Sequence, residues 1–266
     1  MSHSPASHTG PMHPTRRMEP MDDRQQLENY FATVDEAQLR LKATKPSDSR
    51  LRVAAKRLVP MDRRSQARMA VTNAVRPLER RKAARIEATT PRLRLHLGSG
   101  GEHKEGWINV DCVGDPVELA WNLAHGIPFG DASAEAIFHE HLFEHIPLRA
   151  GVGLMDECFR VLKPGGILRV GVPDAGALIR SYVGDGEYVD ALHPGRPTGL
   201  IAVQELFYWH EHVTMFDDET LAMVFRAGGF PDPVRRKYGD TDLEWVPDTD
   251  TRASQTLYME ARKPLG

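Results

Sequence analysis

The side chains best able to move protons or hold a cation lie in the second half of the chain. They are His141, His145, His210 and His212, with Glu140, Glu144, Asp174, Glu205 and Glu211 interspersed. An imidazole titrates near neutral pH, so it can take the proton of a hydroxyl that is about to act as a nucleophile. Ahead of them, Leu93-Arg-Leu-His-Leu-Gly-Ser-Gly-Gly101 runs an alternating strand into a glycine turn, and Asp111 ends the next apolar run. Glycine takes φ > 0 without strain and lets backbone approach a ligand closely. A carboxylate at a strand end can accept hydrogen bonds from both hydroxyls of a ribose. Many tight turns look like this one, but paired with an acidic strand end it points to a nucleotide-type ligand.

These residues need a scaffold, and the hydropathy pattern supplies one. Strands are expected at 92–97, 107–111, 117–121, 136–139 and 167–172, with a helix at 150–162 and a terminal strand pair near 234–239 and 254–262. Strands alternating with helices imply an α/β fold whose largely parallel sheet is covered on both faces. Ligands in such sheets sit outside the carboxyl ends of the strands, where the glycine turn, Asp111, the run from His139 to His145, and Asp174 all fall. Lys163-Pro-Gly-Gly166 reads as a helix-ending turn that feeds the next strand. Asp111 follows Gly101 by ten residues, fewer than the dozen or so that a crossover helix takes. The first crossover must therefore be shortened.

Several blocks in this order carry a resemblance: Glu144-His-Ile-Pro147, Arg160-Val-Leu-Lys-Pro-Gly-Gly166, His212-Val-Thr-Met-Phe-Asp217 and Ala227-Gly-Gly-Phe230. Together with the glycine turn, they resemble class I S-adenosylmethionine-dependent methyltransferases, in particular the bacterial branch associated with sugar and polysaccharide biosynthesis. The resemblance spans roughly residues 91–264. It implies a Rossmann-like seven-stranded, mostly parallel sheet. It also implies S-adenosylmethionine over Gly98, Ser99 and Gly100, with Asp111 on the ribose, Asn122 and Leu123 at the adenine, and Glu140 completing the cofactor set. His145 matches a position that faces the transferred methyl in many relatives, His212 matches a histidine that recurs ahead of the family's Tyr/Phe-Asp stretch, and at least one of the pair is expected to act as general base or substrate anchor. The implied activity is O-methylation of a saccharide hydroxyl, conceivably a mannoside. Methylation of a small natural product or lipid is the alternative among enzymes. A non-catalytic module docking on a glycan-synthesis partner is the alternative from another class.

Other readings of the same residues stay open. His141-x-x-Glu-His145 has the form of an inverted zinc-hydrolase motif, although that motif needs a long helix and a distant third ligand. Glu144, Glu205 and Glu211 are candidate oxygen ligands for Mg²⁺, which would orient a diol and lower its hydroxyl pKa. Residues 181–216 form the expected substrate lid. Tyr182, Tyr208, Trp209 and His210, with His141 and Asp174, are the expected acceptor contacts.

Composition bounds the rest. The 266 residues suffice for one α/β domain plus an appendage. A net charge of −3 gives no whole-chain case for nucleic-acid binding. The two cysteines, Cys112 and Cys158, have no paired spacing, and no apolar run approaches a membrane span. A cytoplasmic protein with no transmembrane segment is expected. Residues 1–21, rich in Ser, His and Pro, are expected to be disordered, and their histidines could form a metal site. Residues 22–90 form the expected helical extension. Between Arg50 and Ile86 they carry twelve Lys or Arg against Asp62 and Glu79, in short amphipathic helices broken at Pro60 and Pro77. This basic segment is either a face for an anionic partner or an arm packed on the catalytic domain or on a second subunit in a homodimer.

Overall fold

The structure is a computed structural model that describes residues 29, 32, 61–112, 117–192, 194–208, 211–249 and 253–265, with only the backbone of 61–65. Asn29 and Ala32 are helical and belong to a separate unit, Met1–Leu41. The expectation for residues 1–21, the break at Pro60, Trp209 and His210 lie outside the described residues. Everything below concerns the unit Lys42–Gly266.

In chain order the elements are helix α1 (Met61–Thr89) and strands β1 (Leu93–Leu97), β2 (Ile108–Asp111), β3 (Leu119–Ala120) and β4 (Ala134–Glu140). Helix α2 (Leu148–Val161), strand β5 (Leu162–Pro173) and helices α3 (Ala175–Val183), α4 (Glu187–Leu192), α5 (Gly199–Tyr208) and α6 (Asp218–Ala227) come next. Strands β6 (Val234–Arg236) and β7 (Thr256–Arg262) close the fold. The seven strands form one sheet in the order β3-β2-β1-β4-β5-β7-β6. Every pairing is parallel except those of β7, which runs antiparallel to β5 and β6. This is the Rossmann-like class I methyltransferase fold that the resemblance implies. No helix among the described residues is long and apolar enough to cross a membrane.

The two faces of the sheet differ. On the first, Leu93, Leu95, Leu97, Ile137, Leu168, Val170, Val172, Leu257 and Met259 join Leu154, Met155, Cys158 and Val161 of α2 and Leu221, Val224 and Phe225 of α6 in one aliphatic core. Helix α1 reaches this core through the fully buried Ala83 and the partly buried Ile86. Its remaining anchors are polar. Thr72 Oγ1 donates to the Cys112 carbonyl at 2.5 Å, Glu79 Oε2 accepts from Ala120 N at 3.1 Å, and Glu87 Oε2 accepts from Gly130 N at 2.9 Å. The basic side chains of α1 from Arg68 to Arg85 are exposed on the outer side of an arm packed on its own domain. Pro77 was expected to break the helix, yet it lies inside α1. It is exposed, so its ring meets solvent while the anchors on either side hold the turn.

The second face corrects the expectation of helices on both sides. No described helix contributes to its small core of Trp107, Ala136 and Phe138, which Leu243 covers. Ten residues, 98–107, connect β1 to β2 without a helix. Gly98 N and Ser99 N donate to Val110 O at 2.8 and 3.3 Å. The buried Asn109 ties the loop from below: Oδ1 accepts from Lys104 N at 2.9 Å and Nδ2 donates to Lys104 O at 3.0 Å. The irregular segment 237–249 covers the remainder of this face. It is pinned to fully buried Arg169, whose guanidinium holds Asp248 at 2.5 Å, Glu260 at 3.2 Å and the Asp240 carbonyl at 2.8 Å. Lys163-Pro-Gly-Gly166 is not a turn before the strand but an irregularity inside β5, where the register against β4 jumps from Ala134↔Leu162 to Ala136↔Ile167.

Two buried histidines make this sheet acid-sensitive. Burial lowers His96 to about 4 even though its Nδ1 lies 2.8 Å from Asn109 Oδ1. Burial lowers His139, whose ring nitrogens have no hydrogen-bond partner, to about 3. Both rings stay neutral in the fold, so below about pH 6.5 the unfolded chain binds more protons than the folded one. Stability is full above that pH and falls as pH drops toward 4. His139→Leu should flatten this dependence by up to about 1.4 kcal/mol per pH unit. Urea unfolding at successive pH values between 7 and 4 measures it, and an unchanged slope contradicts the assignment.

Candidate active site

The glycine turn after β1 has the geometry of a cradle. Gly98 and Gly100 take φ of +63° and +54°, and Asp111 Oδ2 accepts from Gly100 N at 2.8 Å. A Cβ on Gly100 would meet nothing within 4 Å, whereas one on Gly98 would lie 2.7 Å from Leu142 Cδ1. Ser99 Oγ is buried and has no hydrogen-bond partner. An open backbone loop, an orphaned hydroxyl and a carboxylate at the neighbouring strand end fit the ribose and amino-acid parts of S-adenosylmethionine. Asn122 Oδ1 accepts from Ala124 N at 3.0 Å, capping a short 3-10 turn (Leu123–His125), and its Nδ2 donates to Asn73 Oδ1 at 3.3 Å. Glu140 is committed within the protein: Oε1 accepts from Tyr258 Oη at 2.5 Å and from Thr249 N at 3.3 Å.

Beyond β4 the chain reverses at His141, which takes φ of +53°, a conformation uncommon outside glycine and asparagine-like residues. The reversal leads into a 3-10 turn at Phe143–His145. This turn and the segment after α5 are stitched together. Val213 N and Thr214 N both donate to the Glu144 carbonyl, at 2.7 and 3.1 Å, and Thr214 Oγ1 donates to Ile146 O at 2.7 Å. The stitching brings His212 beside His145, with ring centroids 4.8 Å apart and planes at 75°. Residues 67 positions apart in sequence thus form one pair.

The pair opens into a cavity of about 320 Å³ whose lining includes His141, Glu144, His145, Asp174, Tyr188, His212 and Gln255, with Pro173, Leu178, Leu192 and Leu206 forming an apolar wall. Helices α3, α4 and α5 build that wall around buried Leu178, Val189 and Ala202. Asp174 caps α3 through Oδ1, 2.7 Å from Ala177 N, while Oδ2 accepts from Arg235 at 2.9 Å. Tyr188 Oη donates to the Ser254 carbonyl at 2.9 Å, and burial beside Asp174 pushes its phenol up to about 12.

The structure thus brings His141, Glu144, His145, Asp174 and His212 together. Other expected contacts fall elsewhere. Tyr208 is 82 % exposed and Tyr182 45 % exposed, and neither lines the cavity. Tyr182 packs over Gly199 instead. Glu205 is no metal candidate: it is buried with both carboxylate oxygens on Arg196, at 2.9 to 3.2 Å. Glu211 is exposed and does not line the cavity. The inverted zinc-hydrolase reading fails as well. The motif sits on a 3-10 turn, and both ring nitrogens of His141 are engaged, Nδ1 with Glu144 Oε1 and Nε2 with Thr256 Oγ1, each at 3.0 Å. Gln255, Leu178, Leu192 and Leu206 had no local signal. They reach the cavity only through the antiparallel return of β7 and the packing of the lid helices.

Residues 108–170 match the family model described as a methyltransferase domain. No curated protein matches the chain. Among solved structures, an S-adenosylmethionine-dependent methyltransferase from Archaeoglobus fulgidus is 15 % identical over 74 % of this chain and 94 % of its own, with a TM-score of 0.42. Phosphoethanolamine N-methyltransferase 2 of Haemonchus contortus, solved with S-adenosyl-L-methionine, is 13 % identical over 69 % and 52 %, with a TM-score of 0.43. Strand order and direction define the fold, and they are those of the class I methyltransferase fold.

The Arg196–Glu205 pair anchors the lid. Removing the guanidinium takes three hydrogen bonds from a buried carboxylate, and breaking a buried ion pair in this way costs up to about 3–5 kcal/mol. Arg196→Met should therefore loosen α5 and raise proteolysis within 187–208. Limited chymotrypsin digestion, which can cut after Tyr188, Leu192, Leu206 and Phe207, followed by mass mapping checks this, and a native-like cleavage pattern contradicts it.

Proposed function

We propose that this protein transfers a methyl group from S-adenosylmethionine to a hydroxyl of an acceptor seated in the histidine-lined cavity. One observation carries the reading. Leu142, packed over Gly98 of the cofactor cradle, directly follows His141 and lies two residues before Glu144, both of which line the cavity. One short segment, 141–144, therefore borders both the cradle and the acceptor space. S-adenosylmethionine supplies an electrophilic methyl whose transfer leaves a neutral thioether.

The chain's own residues then have two tasks: hold the acceptor oxygen in line and remove its proton. An imidazole of the His145–His212 pair would take the proton of the acceptor hydroxyl, leaving its oxygen as the nucleophile toward a methyl donor held over Gly98, Ser99, Gly100 and Asp111. Asp174, Gln255 and Tyr188 supply polar contacts for further hydroxyls, which suits a saccharide or polysaccharide precursor. The leucine wall favours a second acceptor class, the hydroxyl of an apolar natural product or lipid, because apolar surface buried there is stabilised by about 25 cal/mol per Å².

Calorimetric titration of S-adenosylmethionine into the pure protein tests the premise. The native chain should bind, and Asp111→Ala should weaken binding at least tenfold by freeing the Gly100 loop and removing the ribose acceptor. Failure of the native protein to bind would overturn the enzyme reading in favour of a non-catalytic module. With an acceptor found by screening, His145→Ala should keep cofactor affinity while turnover falls about 10²- to 10⁴-fold. An equal loss of both would make His145 a structural residue.

A further inference from the structure

We infer that Glu144, His145 and His212 form a binding site for a divalent transition-metal ion of the zinc type at the floor of the acceptor cavity. One donor atom from each residue lies within 4.8 Å of the others. The observation that calls for a ligand is Glu144 itself. Its side chain is about 1 % exposed, Oε1 takes the His141 ring nitrogen, and Oε2 is buried with no hydrogen-bond partner while the residue lines the cavity. A buried carboxylate oxygen without a partner loses its hydration for nothing in return, at a cost of several kcal/mol. Two imidazoles face it across the same small space.

The surroundings are those of a held ligand. His141 grips the other carboxylate oxygen and is itself gripped by Thr256, the kind of outer bond that fixes a metal-binding carboxylate in orientation. Main-chain bonds from Val213 and Thr214 to the Glu144 carbonyl lock the third donor's segment against the first two. Two neutral imidazole nitrogens and one carboxylate oxygen select a borderline ion such as Zn²⁺, Co²⁺, Mn²⁺ or Fe²⁺ over Mg²⁺, which prefers an all-oxygen shell. An ion about 2.1 Å from each donor holds them roughly 3–4 Å apart, which side-chain rotation of His145 and His212 can reach. Three protein donors leave positions open toward Asp174, Tyr188 and Gln255. A hydroxyl or vicinal diol of the acceptor would occupy them and lose its proton more readily there. The role of the ion in the reaction rests on the methyl-transfer reading; its binding does not. Where the ion is bound, the two imidazoles act through it and not as free bases.

The test uses full-length protein stripped with chelator and titrated with Co²⁺, whose visible bands report coordination by nitrogen and oxygen. His3, His8 and His13 offer other imidazoles, so the reading is the difference between native protein and variants. Native protein should take up one equivalent more than His145→Ala, with Zn²⁺ displacing it and millimolar Mg²⁺ not. Glu144→Gln, which keeps shape and the His141 contact, should weaken that equivalent at least tenfold. Identical uptake and spectra in native protein, His145→Ala and Glu144→Gln would overturn the inference. S-adenosylmethionine titrated into the same stripped sample separates the two proposals: cofactor binding with no specific Co²⁺ uptake sinks only the metal site, and the converse sinks only the methyl-transfer reading.

Discussion

The shape of this protein follows from the ten residues between β1 and β2. A helix cannot be fitted there, so one face of the sheet loses the cover that a crossover helix supplies. Elsewhere in the sheet a parallel strand has apolar residues on both sides. Here the second side must be satisfied by other means, and beside its small core of Trp107, Ala136 and Phe138 it is polar: Arg94, His96, Arg169, Tyr258 and Glu260 alternate with the residues of the first face. Asn109 folds the short loop down, and Arg169 gathers Asp248, Glu260 and two carbonyls so that segment 237–249 can lie across the strands. Such a network is a costly way to close a core, because each charge must be desolvated. It succeeds here because nearly every donor of the guanidinium finds an oxygen.

The shortened connection also leaves the glycine turn tightly coupled to β2. With Gly98 and Ser99 both on Val110 O and Gly100 on Asp111, the loop is held by the strand that ends in Asp111. The cradle and its acid therefore move as one body. Helix α1 completes the picture on the other side. It is bound less by an apolar stripe than by a few small residues and by Glu79 and Glu87, which cap backbone amides of the catalytic domain. That explains how so basic a helix packs on a domain without burying its charge.

The candidate site is the result of two reversals of the chain. His141, held in the left-handed region, turns the segment after β4 back over the sheet. The stretch after α5 then joins it through the Glu144 carbonyl. Phe143 and Phe216 anchor the two segments in the core, hydrogen bonds to the Glu144 carbonyl join them, and the Glu144 carboxylate is buried between them.

The sequence by itself determined the strands, their order of appearance, the glycine turn with Asp111, and the expectation that His145 and His212 share a site. Alternation, glycine conformational freedom and motif spacing are local properties, and they were legible as such. It also showed that the first crossover is short. What it did not reveal was the consequence, since which face goes uncovered depends on the whole sheet. The lid aromatics illustrate the same limit. Tyr182 and Tyr208 have the right chemistry for a sugar, but helix packing turns them to solvent and presents Leu178, Leu192 and Leu206 instead. Glu205 and Glu144 were indistinguishable as carboxylates in the chain. Arg196, nine residues before Glu205, neutralises the first. His141 orients the second and leaves one oxygen facing His145 and His212. Long-range contacts made that choice, because the availability of a charge is set by its partners in space and not by its neighbours in sequence.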